Sequence, residues 1–139
     1  MKETWTVRAL SPGDHIRVDR GAYYHHGIYI GNGEAIHYCA ENGDGLDAPD
    51  TVEVRRTPMD RFTKNGFCEV LDYGKKDKKR RSPEDIVEYA KSALGRRGYD
   101  ILNNNCEHFA NECVYGEGFS PSVEDVRARV RELFRKSEK

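Results

Sequence analysis

No run of apolar residues in this sequence approaches the roughly 18 that would cross a bilayer, and the opening Met1-Lys2-Glu3-Thr4-Trp5 has none of the hydrophobic stretch of a secretory signal. A soluble, cytoplasmic protein is the expectation. Net charge is also nearly missing. Lys and Arg total 23 against 24 Asp and Glu, which leaves −1 and removes the global cationic field of a dedicated nucleic-acid binder. No nucleic-acid partner is expected, and any charged partner must be recognised locally. Cysteine is sparse: Cys39, Cys68, Cys106 and Cys113 form no Cys-x-x-Cys pair, and two disulfides are not expected at this size in a reducing compartment, so all should be free thiols. There is no internal repeat.

What is present fits a single domain over residues 1–139. A chain of that length can bury about two-thirds of its unfolded surface around one core, and 37% apolar residues, before 13 glycines are added, suffice to fill it despite a charged fraction of 34%. The only compositional break is Lys75-Lys76-Asp77-Lys78-Lys79-Arg80-Arg81. Before it, short strand-forming runs at 15–18, 26–30, 35–39, 51–55 and 68–73 are separated by Gly, Asn, Asp or Pro, which predicts a small antiparallel sheet. Gly31-Asn32-Gly33 predicts a hairpin between the second and third runs. After the break come helix signals. Ser82-Pro83-Glu84-Asp85 supplies an N-cap, a proline at N1 and a capping carboxylate, and Ile86, Ala90, Ala93 and Leu94 follow at helical spacing until Gly95. Cys106, Phe109, Ala110, Cys113 and Val114 recur at i, i+3, i+4, i+7 and i+8. Ser122-Val123-Glu124-Asp125 opens a last helix over about 120–136, basic and amphipathic, with Val123, Val126, Val130, Leu133 and Phe134 on one stripe. The fold class that follows is α+β, a small antiparallel sheet packed against helices.

Chemistry concentrates at Cys106. The run Asn103-Asn104-Asn105 offers an N-cap, which would put Cys106 in the first turn of its helix, where unpaired backbone N–H groups and the positive end of the helix dipole favour a thiolate. A thiol nucleophile works best beside an imidazole that takes and returns its proton, with a third polar group fixing the imidazole's tautomer. Of the five histidines, His108 lies two residues from Cys106 and points off its face, which leaves His15, His25, His26 and His37. The hairpin turn decides among them. A two-residue type I′ turn at Asn32-Gly33 pairs Ile28 with His37 and puts His26 on the face of His37. A three-residue loop with Gly33 as a bulge pairs Gly27 with His37 and puts His25 there instead. Both registers are compatible with the sequence.

The segments Pro12-Gly13-Asp14-His15-Ile16, His25-His26-Gly27-Ile28-Tyr29-Ile30-Gly31, Ala35-Ile36-His37 and Asn105-Cys106-Glu107-His108-Phe109-Ala110-Asn111-Glu112 resemble the lecithin:retinol acyltransferase family, with the closer likeness to its compact phospholipase A/acyltransferase branch. In order and spacing the resemblance covers most of residues 11–116. It implies a permuted papain-like NlpC/P60 fold in which a thiol takes an acyl chain from a lipid ester and passes it to water, an amine or an alcohol, without a cofactor. Carried over by motif, it implies Cys106 as nucleophile, His25 as general base and His37 as the group that orients His25. Tyr23 also matches a family position and would donate to the oxyanion beside the Cys106 backbone N–H. The sequence departs from the family in placing His26 where an aromatic usually follows the catalytic histidine, and in lacking a hydrophobic anchor after Phe134.

Other readings compete. His37-x-Cys39 and Cys106-x-His108 hold zinc-ligand types, but their spacing is one residue where structural zinc motifs usually have two, and Cys106 and His108 diverge on a helix, so no metal is expected. A cysteine peptidase or amidase of the same superfamily would use the same Cys-His-His set, and some viral proteins keep these boxes as interaction modules. The expected partner is a phospholipid or other acyl-lipid. Peripheral membrane contact would fall to Lys75, Lys76, Lys78, Lys79, Arg80 and Arg81, each worth about 1 kcal/mol near an anionic surface, helped by the C-terminal basic stripe.

Overall fold

The computed structural model describes residues 4–45, 49–72, 80–97 and 106–116. The strands are β1 (Thr4–Thr6), β2 (His15–Asp19), β3 (Tyr24–Gly31), β4 (Glu34–Cys39), β5 (Glu53–Pro58) and β6 (Cys68–Asp72), and the helices are α1 (Met59–Thr63), α2 (Pro83–Ser92) and α3 (Cys106–Tyr115). All six strands join one antiparallel sheet in the order β1-β6-β2-β3-β4-β5. The α+β architecture expected from the sequence is present. The short β1 and α1 are additions to it, and β5 is displaced toward Pro58 because 49–51 forms a 3-10 turn. Pro58 can end β5 because that strand lies at the sheet edge, where a missing N–H breaks no ladder.

Period-two alternation divides the core between the two faces of the sheet. Ile28, Ile36, Tyr38 and Val54 pack with Ile86 and Ala90 of α2 and Phe109, Ala110, Cys113 and Val114 of α3. Ile16, Val18, Ala35 and Val70 face the other way, onto Phe62 of α1. Phe62, fully buried, explains why so short a helix as α1 forms without a side-chain N-cap. α2 begins as its sequence foretells, with the Ser82 hydroxyl accepting from the Asp85 N–H at 3.2 Å and Pro83 in the first turn. The 103–105 cap expected for α3 and the helix expected over 120–136 lie outside the described residues, as do Lys75, Lys76, Lys78 and Lys79. Arg81 is half-buried. Its N–H donates to the Val114 carbonyl at 2.8 Å and its guanidinium lies 5.5 Å from the centre of the Tyr89 ring, while the Nε of neighbouring Arg80 is buried. The last two residues of the basic run are therefore half-buried, with contacts to the domain.

The β3–β4 hairpin combines parts of both registers weighed above. Asn32 and Gly33 have φ of 54° and 71°, the positive pair that a type I′ turn requires. Yet Tyr29 pairs with Ala35 and Ile28 with Ile36, because a bulge between Tyr29 and Gly31 absorbs one residue, with Gly31 at φ 97°. The bulge sits before the turn and not at Gly33, and it sets the register that brings Gly27 beside His37. The paired residues then stop at Ile28 and Ile36. Tyr29 exchanges backbone bonds with Gly13 and Asp14 on the β2 side, so by alternation the His26 N–H and Tyr24 carbonyl face the β4 side, where the ladder has ended.

Gly27 is required where the two strands and α1 converge. A Cβ there would stand 2.7 Å from Phe62 Cε1 and 3.1 Å from the His37 Cβ. Gly27→Ala should therefore lower unfolding stability by about 1–3 kcal/mol, as overpacked cores do, read as a reduced urea midpoint at unchanged slope.

Candidate active site

Two imidazole pairs flank β3, one on each face. His25 and His37, on the α1 face, are buried, with His25 Nε2 2.8 Å from His37 Nδ1 and His37 Nε2 2.8 Å from Thr57 Oγ1. The Thr57 hydroxyl donates to the Pro58 carbonyl at 3.1 Å, so it accepts from His37 Nε2–H. Burial holds His37 well below its ordinary pKa, with His25 beside it adding to the shift, so His37 is neutral and its Nδ1 is an acceptor. His25 must then donate from Nε2, which leaves its Nδ1 as a lone pair. Burial likewise pulls His25 down to about 4. The register that sequence left open is thus resolved: His25, and not His26, meets His37.

His26 joins a different cluster. Its Nδ1 lies 2.8 Å from His15 Nε2, its Nε2 lies 3.7 Å from the Glu107 carboxylate, and Trp5 packs edge-on to both rings at 5.2 and 5.6 Å. Burial pulls His15 down to about 3, with Arg17 adding to the shift. Arg17 itself lies over the Trp5 and Tyr24 rings and pairs with Glu69 at 3.0 Å.

Cys106 is the first residue of α3 and reaches the edge of β3 where the ladder has opened. Its sulfur accepts the His26 N–H at 3.3 Å and lies 3.8 Å from the Tyr24 carbonyl, so it touches the backbone on both sides of His25. The expected thiolate is corrected by its surroundings. Burial is the largest effect and pushes the thiol up to about 11, against the hydrogen bonds of the His26 and Glu107 N–H groups. A helix terminus stabilises a thiolate by a fraction of what full desolvation costs it. Cys39, Cys68 and Cys113 are free thiols too, each raised by burial. His108 stays off the site, 3.8 Å from Glu112.

Tyr23 is placed differently from its expected role. Its hydroxyl donates its one proton to Asp44, and burial followed by that carboxylate holds its pKa far above the usual phenol value, so as placed it has no proton to offer an oxyanion. Asp44 is the residue that sequence reasoning missed. It takes Arg20 Nε at 2.8 Å and stands 3.9 Å from His25 Nε2. Asp44 and Tyr23 also line an open cleft of about 650 Å³, together with Arg20, Gly43, Arg55 and Lys64. No sequence signal marked Asp44, because it lies in a Gly-rich loop whose position depends on tertiary contacts. Among the described residues, no group of three or more His, Cys, Asp or Glu is arranged to hold a metal ion, and no helix is long and apolar enough to cross a membrane.

The class that the fold and site define is an antiparallel α+β domain with a helix-terminal thiol set against a strand that carries two imidazole pairs. The profile of the lecithin retinol acyltransferase family matches residues 8–119, and the chain belongs to that family. It is 26% identical over 154 residues to lecithin retinol acyltransferase of Rattus norvegicus, an alignment covering 96% of this chain and 67% of that protein. It is 30% identical to phospholipase A and acyltransferase 4 of Homo sapiens, over 86% of this chain and 78% of the relative, and 30% identical to the human phospholipase A and acyltransferase 3, over 83% and 76%.

The three neutral histidines make stability depend on pH. His15 and His25 titrate near 3 and 4 when folded, and His37 well below its ordinary value, against 6.5 when unfolded. The unfolded chain therefore binds more protons, and their full contribution, present above pH 6.5, is lost as pH falls toward 4 and below. Each histidine steepens the loss by up to about 1.4 kcal/mol per pH unit. Urea unfolding from pH 7 to 4.5 should show a midpoint that falls steeply below pH 6; a flat profile would mean that these rings take up protons as readily in the fold as in the unfolded chain.

Proposed function

We propose that this chain is a thiol-dependent lipid acyltransferase with phospholipase A character, in which Cys106 takes an acyl chain from a phospholipid or another acyl-lipid and passes it to water, an amine or an alcohol. The observation that carries the reading is the one-directional hydrogen-bond line from Thr57 through His37 to His25, which leaves a basic nitrogen on the strand that also hydrogen-bonds the Cys106 sulfur. Membership of the family, and the names of relatives described as acyltransferases and phospholipases, support the substrate class.

The chemistry follows from the protonation states. Thiol and imidazole rest neutral, raised to about 11 and lowered to about 4 respectively, so the proton leaves Sγ for His25 Nδ1 as sulfur attacks the ester carbonyl. The tetrahedral adduct collapses, the C–O bond breaks, and the His25 imidazolium returns the proton to the departing lysolipid oxygen. An acceptor then gives its proton to His25 and attacks the thioester, the C–S bond breaks, and the His25 imidazolium returns that proton to the Cys106 sulfur. His37 and Thr57 keep the His25 tautomer fixed throughout. The N–H groups of His26 and Glu107 stabilise the sulfur as it leaves. The scheme calls for no cofactor.

Intact-protein mass spectrometry after incubation with phosphatidylcholine should reveal an acyl adduct on Cys106 that disappears in Cys106→Ala. His25→Ala should slow acylation by about 10²–10⁴-fold, and His26→Ala by far less, since His26 lies on the other face of β3. An adduct that survives Cys106→Ala would sink the mechanism, and turnover of peptides without phospholipid would move the chain to the peptidase reading. Because the thiol is raised and not lowered, iodoacetamide alkylation of Cys106 should climb by up to tenfold per pH unit between 7 and 9. A rate already level at pH 7 would indicate a resting thiolate.

A further inference from the structure

We propose that Asp44 is the counter-charge that carries His25 through its imidazolium state, and that Lys64 sets how much of that charge His25 receives. The inference rests on His25 being the base of the proposed reaction. When His25 takes the Cys106 proton, a buried imidazole becomes a cation, and a buried cation needs an anion near it. From β4 and β5 it is faced by His37 and Thr57, which are neutral and can only orient it. Phe62 of α1 stacks at 5.3 Å and Tyr23 lies edge-on at 6.5 Å, neither of them charged. Cys106 of α3 has by then given up its proton and its charge passes to the substrate. Among the described residues, the charged side chains that act on His25 are Arg20, Asp44 and Lys64, and of these only Asp44 is an anion.

The geometry at Asp44 divides its two oxygens. Oδ2 takes Arg20 Nε at 2.8 Å and the Tyr23 hydroxyl. Oδ1 lies 3.3 Å from Arg20 Nη2, 3.5 Å from Lys64 Nζ and 3.9 Å from His25 Nε2. Lys64 and His25 therefore share one carboxylate oxygen. Arg20 is held in place by the Phe62 and Thr63 carbonyls as well, at 2.6 and 3.3 Å, and fixes the carboxylate rather than competing for it. Lys64 is different: its side chain is 46% exposed and sits in a residue at φ 46°, at the rim of the open cleft. Burial dominates the low pKa of His25; Asp44 opposes it, and Arg20 and Lys64 add to it. Burial works against the ionisation of Asp44 also, but the Arg20 hydrogen bonds and the neighbouring His25 and Tyr23 hold the carboxylate well below its usual range, so it is charged wherever His25 works. Asp44 is a positioning and charge-balancing residue, since it acts on the reacting atoms only through His25.

Removing either charge should move His25 in opposite directions. The probe is the His25 imidazole itself, titrated by NMR, with the acid limb of kcat/KM on a short monomeric thioester as the second readout. Asp44→Asn should lower the His25 midpoint by on the order of one pH unit, shift the acid limb the same way, and cut kcat about tenfold with KM little changed. Lys64→Gln should raise the midpoint and shift the limb upward, with kcat at or above that of the parent, while Lys64→Arg restores the parent values. A midpoint unmoved by Lys64→Gln, or moved in the same direction by both changes, overturns the proposal. Should Asp44→Asn fail to fold, Lys64→Gln and its Arg control still decide, because that side chain is half in solvent. The NMR midpoint needs no turnover, so it separates failure of this inference from failure of the acyltransferase reading.

Discussion

The arrangement of this protein depends on one residue of slippage between two strands. Had β3 and β4 paired straight through their turn, side-chain alternation would have set His26 against His37 and left His25 on the opposite face. The bulge between Tyr29 and Gly31 prevents this, and it does so at a glycine with φ of 97°, a conformation that a side chain would strain. The same hairpin stops pairing beyond Ile28 and Ile36, so the His26 N–H has no strand to bond and takes the Cys106 sulfur instead. The histidine dyad and the seat of the thiol are thus both properties of one hairpin. α3 has only to deliver its first residue to the opening.

Burial, and not the helix terminus, governs the protonation of the site. Three imidazoles and one thiol are held neutral in a protein that would gain by charging the histidines below pH 6.5, so acid stability is given up for a defined tautomer line. A resting ion pair would need no such line, since an imidazolium has two donors and no tautomer to choose. A neutral pair does need it, because only one of the two His25 nitrogens is then an acceptor. The Thr57 hydroxyl, bonded forward to the Pro58 carbonyl, fixes the polarity of the whole sequence of bonds from its far end.

Legibility in the sequence followed the locality of each signal. The Ser82-Pro83 start of α2, the apolar stripe of α3 and the strands around His15, Ile28 and Ile36 rest on spacing and caps within a dozen residues, and all appear in the fold. That His25 and not His26 would meet His37 came from the motif alone, since alternation was compatible with two registers. The bulge could not be located, since Gly31 and Gly33 offer the same backbone freedom and only the packing of Phe62 against Gly27 and His37 distinguishes them. Asp44, α1 and the state of the thiol were out of reach for the same reason: each depends on which distant residues bury it. Reading a thiolate from a helix terminus assumed an exposed terminus, and this one is covered.

The second histidine pair shows why two adjacent histidines do not share a role. His15 is neutral, and its buried Nδ1 has no hydrogen-bond partner among the described residues. Leaving a lone pair unmatched there costs less than leaving an N–H unmatched, since carbonyl-type acceptors go unpaired in folded proteins more often than donors do. The proton therefore sits on His15 Nε2 and is donated to His26 Nδ1, which places the remaining His26 proton on Nε2, directed at the Glu107 carboxylate 3.7 Å away. Glu107 follows the nucleophile in α3. This line ends in a carboxylate fixed to the helix, whereas the line on the other face ends in the Nδ1 lone pair of His25. Equal in sequence and one residue apart, His25 and His26 differ because strand alternation sends one to His37 and Thr57 and the other to His15 and Glu107.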